Sequence, residues 1–279
     1  MKKAGLIFAL LFFYSLLFSQ TIESDNTLIR DAYSLAVQTV RNNTRNNILA
    51  AGADYGGEWT RDIAINSWNG VSLLMPRVAE ESLWSVTTGH DTIGHQYWDK
   101  IIWVIAAYNH YQCTGDEEFL RQAYLCSANT MKQLEGLAFD NGTGLFAGPS
   151  VFNDGIAGYP EPYYDKRIES SFVLDHPNTK SLKCLSTNCV YYGAYCALAK
   201  MAALTGDPGA RHDYEKKAIC LKRNILRNLS DKNHLYYFID GSGRPDLSQE
   251  GLGLSFALIF GIINGSRAHQ LIRDAHVSE

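Results

Sequence analysis

Surplus positive charge, metal-ligand spacing and long apolar runs are all scarce in this 279-residue sequence. The formal net charge is -4. A phosphate-binding protein needs a basic face, so no nucleic-acid partner is expected. There is no C-x-x-C pair and no H-E-x-x-H pattern, which speaks against a structural zinc site and a zinc-protease centre. No metal and no cofactor are expected. Beyond the first residues no stretch approaches 18 uninterrupted apolar residues, so the mature chain is expected to lack a membrane span. Strand signals are few: Gly144-Leu145-Phe146-Ala147 and Leu235 to Ile239 are the short extended candidates.

What is present is apolar, aromatic and helical. Hydrophobic residues make up 46% of the chain, enough for a core and against disorder. Aromatics make up 12%, with 16 Tyr and 5 Trp; flat rings with polar edges suit sugar ligands, and large cores use them too. Lys2 and Lys3 precede an apolar run from Ala4 to Phe18, and Ser19 offers a small residue for cleavage. Residues 1–19 therefore read as a signal peptide, with an uncleaved anchor as the alternative, and a periplasmic or secreted protein is expected. Export permits disulfides. Cys184 and Cys189 fall in an expected loop, close enough to pair, whereas Cys113, Cys126, Cys196 and Cys220 fall in helical patterns.

Helical spacing marks Asp25 to Arg41, with Leu28, Ala32, Leu35 and Thr39 on one side, and Arg61 to Leu74. It continues through Trp98, Ile101, Ile105 and Tyr108, and through Leu120, Ala123, Ser127, Met131 and Leu134. Cys189 to Leu204, a face of Tyr214, Ala218, Leu221 and Ile225, and Ser248 to Ile263 follow. Ser266 reads as the N-cap of an eighth helix. Thr114-Gly115-Asp116 and Thr205-Gly206-Asp207 share an offset that also pairs Leu134 with Ile225 and Leu145-Phe146 with Tyr236-Tyr237. Helix, turn, helix and extended piece thus repeat in one register, the mark of stacked helical hairpins. The stretch from Phe139 to Ser181 breaks the pattern. It is rich in Gly, Pro, Asp and aromatics, and reads as an active-site loop.

Three segments offer chemistry. In Glu58-Trp59-Thr60-Arg61-Asp62, Trp59 can stack on a sugar while Arg61 and Asp62 hold hydroxyls; the plainer reading is an acidic first turn with Arg61 paired to Asp62. In Ser150 to Pro160, Asp154 sits among apolar residues and glycines, a setting that raises a carboxyl pKa and keeps a proton available, or else it is an Asp-Gly turn. Tyr159 belongs to the same segment as a substrate contact. In Ser248-Gln249-Glu250-Gly251-Leu252-Gly253, Ser248 is the expected cap and Glu250 either touches substrate or serves first-turn electrostatics. His90, Asp91, His95 and Asp99 show no ligand spacing and read as a loop group.

Together these segments resemble the six-hairpin glycosidases, the (α/α)6-barrel hydrolases that include trehalases, processing α-glucosidases, glucoamylases and the glucosidase domain of glycogen-debranching enzymes. Trp59-Thr60-Arg61-Asp62 resembles the W-x-R-D element of the sugar site, and Ser150 to Pro160 resembles the S-G-x-D-x-x-P region that carries the general acid. The likeness covers most of residues 25 to 279. It implies an all-α fold, an incomplete (α/α)6 toroid over residues 24–279, with Asp154 as acid and Trp59, Arg61, Asp62, Glu250 and Tyr159 on substrate. It further implies an exo-acting glycoside hydrolase, inverting, on an oligo- or polysaccharide of α-linked glucose or mannose type. The base in such families comes from a late segment with no counterpart here. A twelve-helix barrel needs about 350 residues, so a C-terminally truncated chain ending at Val277-Ser278-Glu279 is expected. A polysaccharide lyase on a related toroid and a non-catalytic glycan-binding remnant are the alternatives.

Overall fold

The structure is a computed structural model that describes residues 22–273. The expected signal peptide and the chain end at Val277-Ser278-Glu279 lie outside the described residues. The helices are α1 (Thr27–Asn42), α2 (Thr60–Asn66), α3 (Pro76–Ser85), α4 (Ile102–Thr114), α5 (Glu117–Ala138), α6 (Leu185–Leu204), α7 (Pro208–Asn228), α8 (Gly251–Ile259) and α9 (Gly265–Ile272). A π-helical turn at Ser67–Val71 carries α2 on to Ser72–Leu74, so the expected helix to Leu74 is there with one bulge. Periodicity did not single out α3. It is short, and only Ala79, Ser82 and Leu83 are buried, too small a stripe to register; Pro76 at its first turn is the local start signal. Among the described residues no helix is long and apolar enough to cross a membrane.

The repeat is structural. Gly115 and Gly206 take the left-handed conformation at φ 69° and 82°, where glycine pays no Cβ penalty. Asp116 then accepts from the N–H groups of Glu118 and Phe119, and Asp207 from that of Ala210. These carboxylates satisfy amides that the first helical turn leaves unpaired. Each following helix ends in a matched closure: Ala147 N–H donates to Ala138 O at 2.7 Å, and Tyr236 N–H to Leu229 O at 2.9 Å. Asp140 and Asp231 cap the two turns through Gly142 N–H and Asn233 N–H. The same closure follows α1 (Ala50 N–H to Asn43 O) and α3 (Gly94 N–H to Val86 O). Asp116→Ala should therefore cost about 1 kcal/mol, the usual worth of an N-cap, read as a lower midpoint in urea unfolding.

The small hairpins β1–β2 (Thr44–Arg45, Ile48–Leu49), β3–β4 (Thr87–Thr88, Thr92–Ile93) and β5–β6 (Phe139–Asp140, Leu145–Phe146) are all antiparallel. The late extended piece is β8 (Phe238–Ile239), between β7 (Lys183–Cys184) and β9 (Pro245–Asp246). The helices form two layers. The inner layer runs α2, α4, α6, α8, each packed on the next, and α3, α5 and α7 cover it from outside. The inner α4 and α6 are apolar nearly all round because both sides are covered. At Gly193 of α6 a Cβ would stand 2.9 Å from the Phe260 ring and 3.0 Å from Ile105, so glycine lets the inner helices meet.

Four expectations need correcting. The expected side of α1, through Leu28, Ala32, Leu35 and Thr39, is not a core face: α1 carries no buried residue, with Leu28 77% and Leu35 69% exposed. Cys184 and Cys189 do not pair. Cys184 precedes α6, Cys189 lies within it, and both are buried free thiols; α6 begins four residues before Cys189, so the expected loop is helix. Glu250, not Ser248, is the residue before α8, because Ser248 N–H is taken by Asp246. Asn264, not Ser266, precedes α9.

Candidate active site

The inner helices bring their N-terminal ends to the long loop that joins α5's hairpin to α6. Trp59 is extended just before α2. The Thr60 N–H donates to His95 Nδ1 at 3.1 Å and the Thr60 hydroxyl to Gly94 O. The Trp59 indole stands edge-on to His95 at 5.9 Å and is 37% exposed, leaving an aromatic face for a sugar ring. Burial pulls the His95 pKa down, which keeps Nδ1 free to accept from Thr60.

Arg61 is the hub. Its Nη2 donates to Asp154 Oδ2 at 2.9 Å, its Nη1 to Asp99 Oδ2 at 3.1 Å, and its Nε lies 3.6 Å from Asp62 Oδ2. The arrangement brings Arg61, Asp62 and Asp154 together. Asp154, however, faces a guanidinium with its side chain 36% exposed, where its glycine-rich sequence neighbours pointed to an apolar setting. Three carboxylates share one cation, so full ionisation leaves two negative charges uncompensated. Burial pushes Asp99 up to about 6 against the opposing Phe152 N–H and Arg61. Burial also raises Asp62. For Arg61, burial pulls down, but the bonds and charges of Asp154 and Asp99 win and raise it.

The loop segment holding Asp154 is pinned at nearly every residue. The Ser150 hydroxyl meets the Ser186 hydroxyl at 2.9 Å, and Val151 N–H donates to that same Ser186 oxygen. Phe152, at φ 65°, donates its N–H to Asp99 Oδ1 at 3.1 Å. The Asn153 amide reaches the Tyr237 hydroxyl, and Val173 N–H donates to Asp154 O at 2.8 Å. Such clamping fixes the Asp154 carboxylate relative to Arg61.

Two expected substrate contacts serve as supports. Tyr159 is buried; its hydroxyl accepts from Ser150 N–H at 2.9 Å and donates to Asn153 O at 3.2 Å. Its ring stacks on Tyr237 at 6.0 Å, away from the opening where sequence alone put it. Glu250 accepts from the Ser150 hydroxyl through Oε1 and from Ser186 N–H through Oε2 at 2.9 Å. It thereby caps α6 from outside its own helix. Burial raises its pKa against these donors. A Cβ at Gly253 would collide with the Glu250 carboxylate and come within 2.8 Å of Leu185, so this glycine admits the capping carboxylate.

The group read as a plain loop divides in two. His90 stacks on Trp84 at 4.1 Å and Asp91 accepts from the Asn129 amide, both on the outer layer. His95 and Asp99 belong to the site. A signal for Asp99 was present: a carboxylate between Trp98 and the apolar run from Ile101 to Ala107 must be buried with a partner, because an unpaired one is too costly. A groove of about 760 Å³ lies between α4, α6 and α7 against Tyr108, Tyr192 and Lys200. It holds none of the carboxylates of the Arg61 cluster.

Comparison with known proteins bears on the family and the fold. The profile of the mannosylglycerate hydrolase MGH1-like glycoside hydrolase domain matches residues 59–278. A GH63 mannosylglycerate hydrolase from Thermus thermophilus, solved with glucose, superposes with a TM-score of 0.72 at 12% identity, over 88% of this chain and 75% of that one. A GH78 rhamnosidase of Bacillus sp. GL1 gives 0.68 at 15% identity, over 91% of this chain and 26% of that one. A neutral trehalase from Saccharomyces cerevisiae gives 0.56 at 10% identity, over 82% and 54%. The chain thus spans about a quarter of the rhamnosidase. No curated protein sequence matches it. At these identities the solved structures establish the fold, the (α/α) toroid of six-hairpin glycosidases.

Proposed function

The chain belongs to the mannosylglycerate hydrolase MGH1-like glycoside hydrolase family, and from that premise we propose that it releases a terminal glucose- or mannose-type sugar from an α-linked glycan by inversion, outside the cytoplasm. The observation that carries the reading is Asp154, held through Oδ2 by Arg61 and part-open to solvent, with Trp59 beside the same guanidinium at 5.7 Å. In this reading the sugar stacks on Trp59 and Asp62 accepts its hydroxyls. Asp154 gives a proton to the glycosidic oxygen as the bond to the anomeric carbon breaks. A second carboxylate, about 6.5–9.5 Å away on the opposite face, takes a proton from the attacking water. Burial raises Asp62 and Asp99 beside Asp154, and a proton on either relieves the like-charge repulsion around Arg61. Export is supported by Lys2, Lys3 and the apolar run to Phe18.

The test uses the full gene product on α- and β-linked glucosides and mannosides, including mannosylglycerate, with the anomer of the first product read by proton NMR. Single sugars released from α-linked substrates as the β-anomer are the expected result. Release of the α-anomer would exclude inversion, and internal cleavage into oligosaccharides would exclude the exo reading. Fractionation of the producing cells tests export, with activity inside the cytoplasm as the contrary result.

A further inference from the structure

We propose that Asp99 is a positioning residue for Asp154: it divides the Arg61 guanidinium so that only one nitrogen reaches the acid, and it fixes the backbone two residues before that acid. This rests on the reading of Asp154 as general acid. The Asp99 side chain has 0% exposure, so it touches no sugar and acts only through its neighbours. Its Oδ2 takes Arg61 Nη1 at 3.1 Å, and its Oδ1 takes Phe152 N–H at 3.1 Å.

The first contact matters because of guanidinium geometry. An arginine facing a lone carboxylate prefers two parallel hydrogen bonds, one to each oxygen. Here Nη1 is held by Asp99, and Arg61 meets Asp154 through Nη2 and Oδ2 only. The other oxygen of Asp154 is left to face the glycosidic oxygen. Without the charge on Asp99, Arg61 is free to turn both nitrogens onto Asp154 and occupy the oxygen that must carry the proton. The second contact matters because Phe152 stands at φ 65°. A bulky side chain in the left-handed region is strained and persists only when its surroundings hold it. The Phe152 N–H bond to Asp99 is such a hold, and it sets the direction in which the chain enters Asn153-Asp154. A buried charge pair needed for packing alone is commonly replaceable by apolar residues; here the charge also directs Arg61 to a single oxygen of Asp154.

The experiment is Asp99→Asn in the full-length enzyme. Asn retains an oxygen for Phe152 N–H and loses the charge that holds Arg61. The expected result is a fall in kcat of about 100-fold with KM within about twofold, the scale of a small misplacement of a reacting group. A crystal structure of the variant is expected to show Arg61 bonded to both oxygens of Asp154. Asp99→Glu, which restores the charge on a longer arm, should recover part of kcat. Should the Asn variant fail to fold, Glu carries the test: reduced kcat at unchanged KM supports the proposal, and wild-type kcat overturns it. Asn kinetics within about twofold of wild type, or kcat and KM moving together with Arg61 undisturbed, would also overturn it. A wild-type enzyme inactive on every glycoside sinks the reaction proposed above, and the position of Arg61 in the variant then decides the role of Asp99 alone.

Discussion

Asp154→Asn is expected to lower kcat on unactivated glycosides by about 10²–10⁴-fold, the usual worth of general-acid catalysis, while substrate binding stays near wild type. The substitution is geometrically mild. An Asn oxygen can still accept from Arg61 Nη2, and the Val173 bond to Asp154 O is a backbone contact. What disappears is the acidic proton. A leaving group that needs no proton separates this from general damage: a dinitrophenyl glycoside departs as a stable anion. Turnover of that substrate should fall far less than turnover of the natural linkage. Equal losses on both would remove Asp154 from the acid role, and retained turnover on both would remove it from the mechanism. Calorimetric titration with product sugar supplies the binding arm, where loss of affinity would point to a holding role instead.

Arg61→Met is expected to destabilise the protein by about 1 kcal/mol at pH 7 and by a similar amount for each further pH unit, because a stranded carboxyl already raised to about 6 takes up a proton instead of staying charged. That carboxyl is Asp99, which has no exposed side-chain surface. The effect should depend on pH in a definite direction. Asp99 is raised from 3.8 to about 6 on folding. Its contribution to stability is therefore present below the ordinary value and lost as pH rises through about 6. Arg61 lowers that pKa, so its removal raises it further and extends the loss to higher pH. The gap between Arg61→Met and wild type should open above about pH 6 and narrow near pH 5, in urea unfolding followed by circular dichroism. A gap that stayed constant with pH would mean that Asp99 is not the stranded charge. Adding Asp99→Leu to Arg61→Met should recover part of the stability, since an apolar pair replaces a broken ionic one, with no recovery of activity.

The helical hairpins were legible in the sequence because their signals are local. Apolar spacing, the glycines at 115 and 206 and the capping aspartates at 116 and 207 act within a few residues. The offset between copies survives at the closing carbonyls of Ala138 and Leu229, but the returning piece comes two residues sooner in the second copy, so Tyr236 takes the place of Ala147 and the pairing of Leu145-Phe146 with Tyr236-Tyr237 is off by two. The W-x-R-D segment and Asp154 were legible as chemistry-bearing types, and the structure unites them over 93 positions of chain. The readings that changed depended on what lies opposite a residue. Leu28 and Leu35 form an apolar stripe in sequence, but burial requires another element over them. Cys184 and Cys189 are close in sequence, but helix geometry makes the second an interior position of α6.

The sequence by itself determined the elements, their pairing into hairpins and the residue types able to move a proton or stack on a sugar, because capping, periodicity and turn chemistry are short-range. Only the tertiary structure decided which polar groups share a site. Asp99 became the partner of Arg61 and Phe152, and Glu250 became the cap of α6. Tyr159 became a strut under Asn153. The physical reason is desolvation: a buried carboxylate or hydroxyl must find partners. Which partners stand within about 3 Å is set by how the inner helices converge, and no local stretch of sequence encodes that.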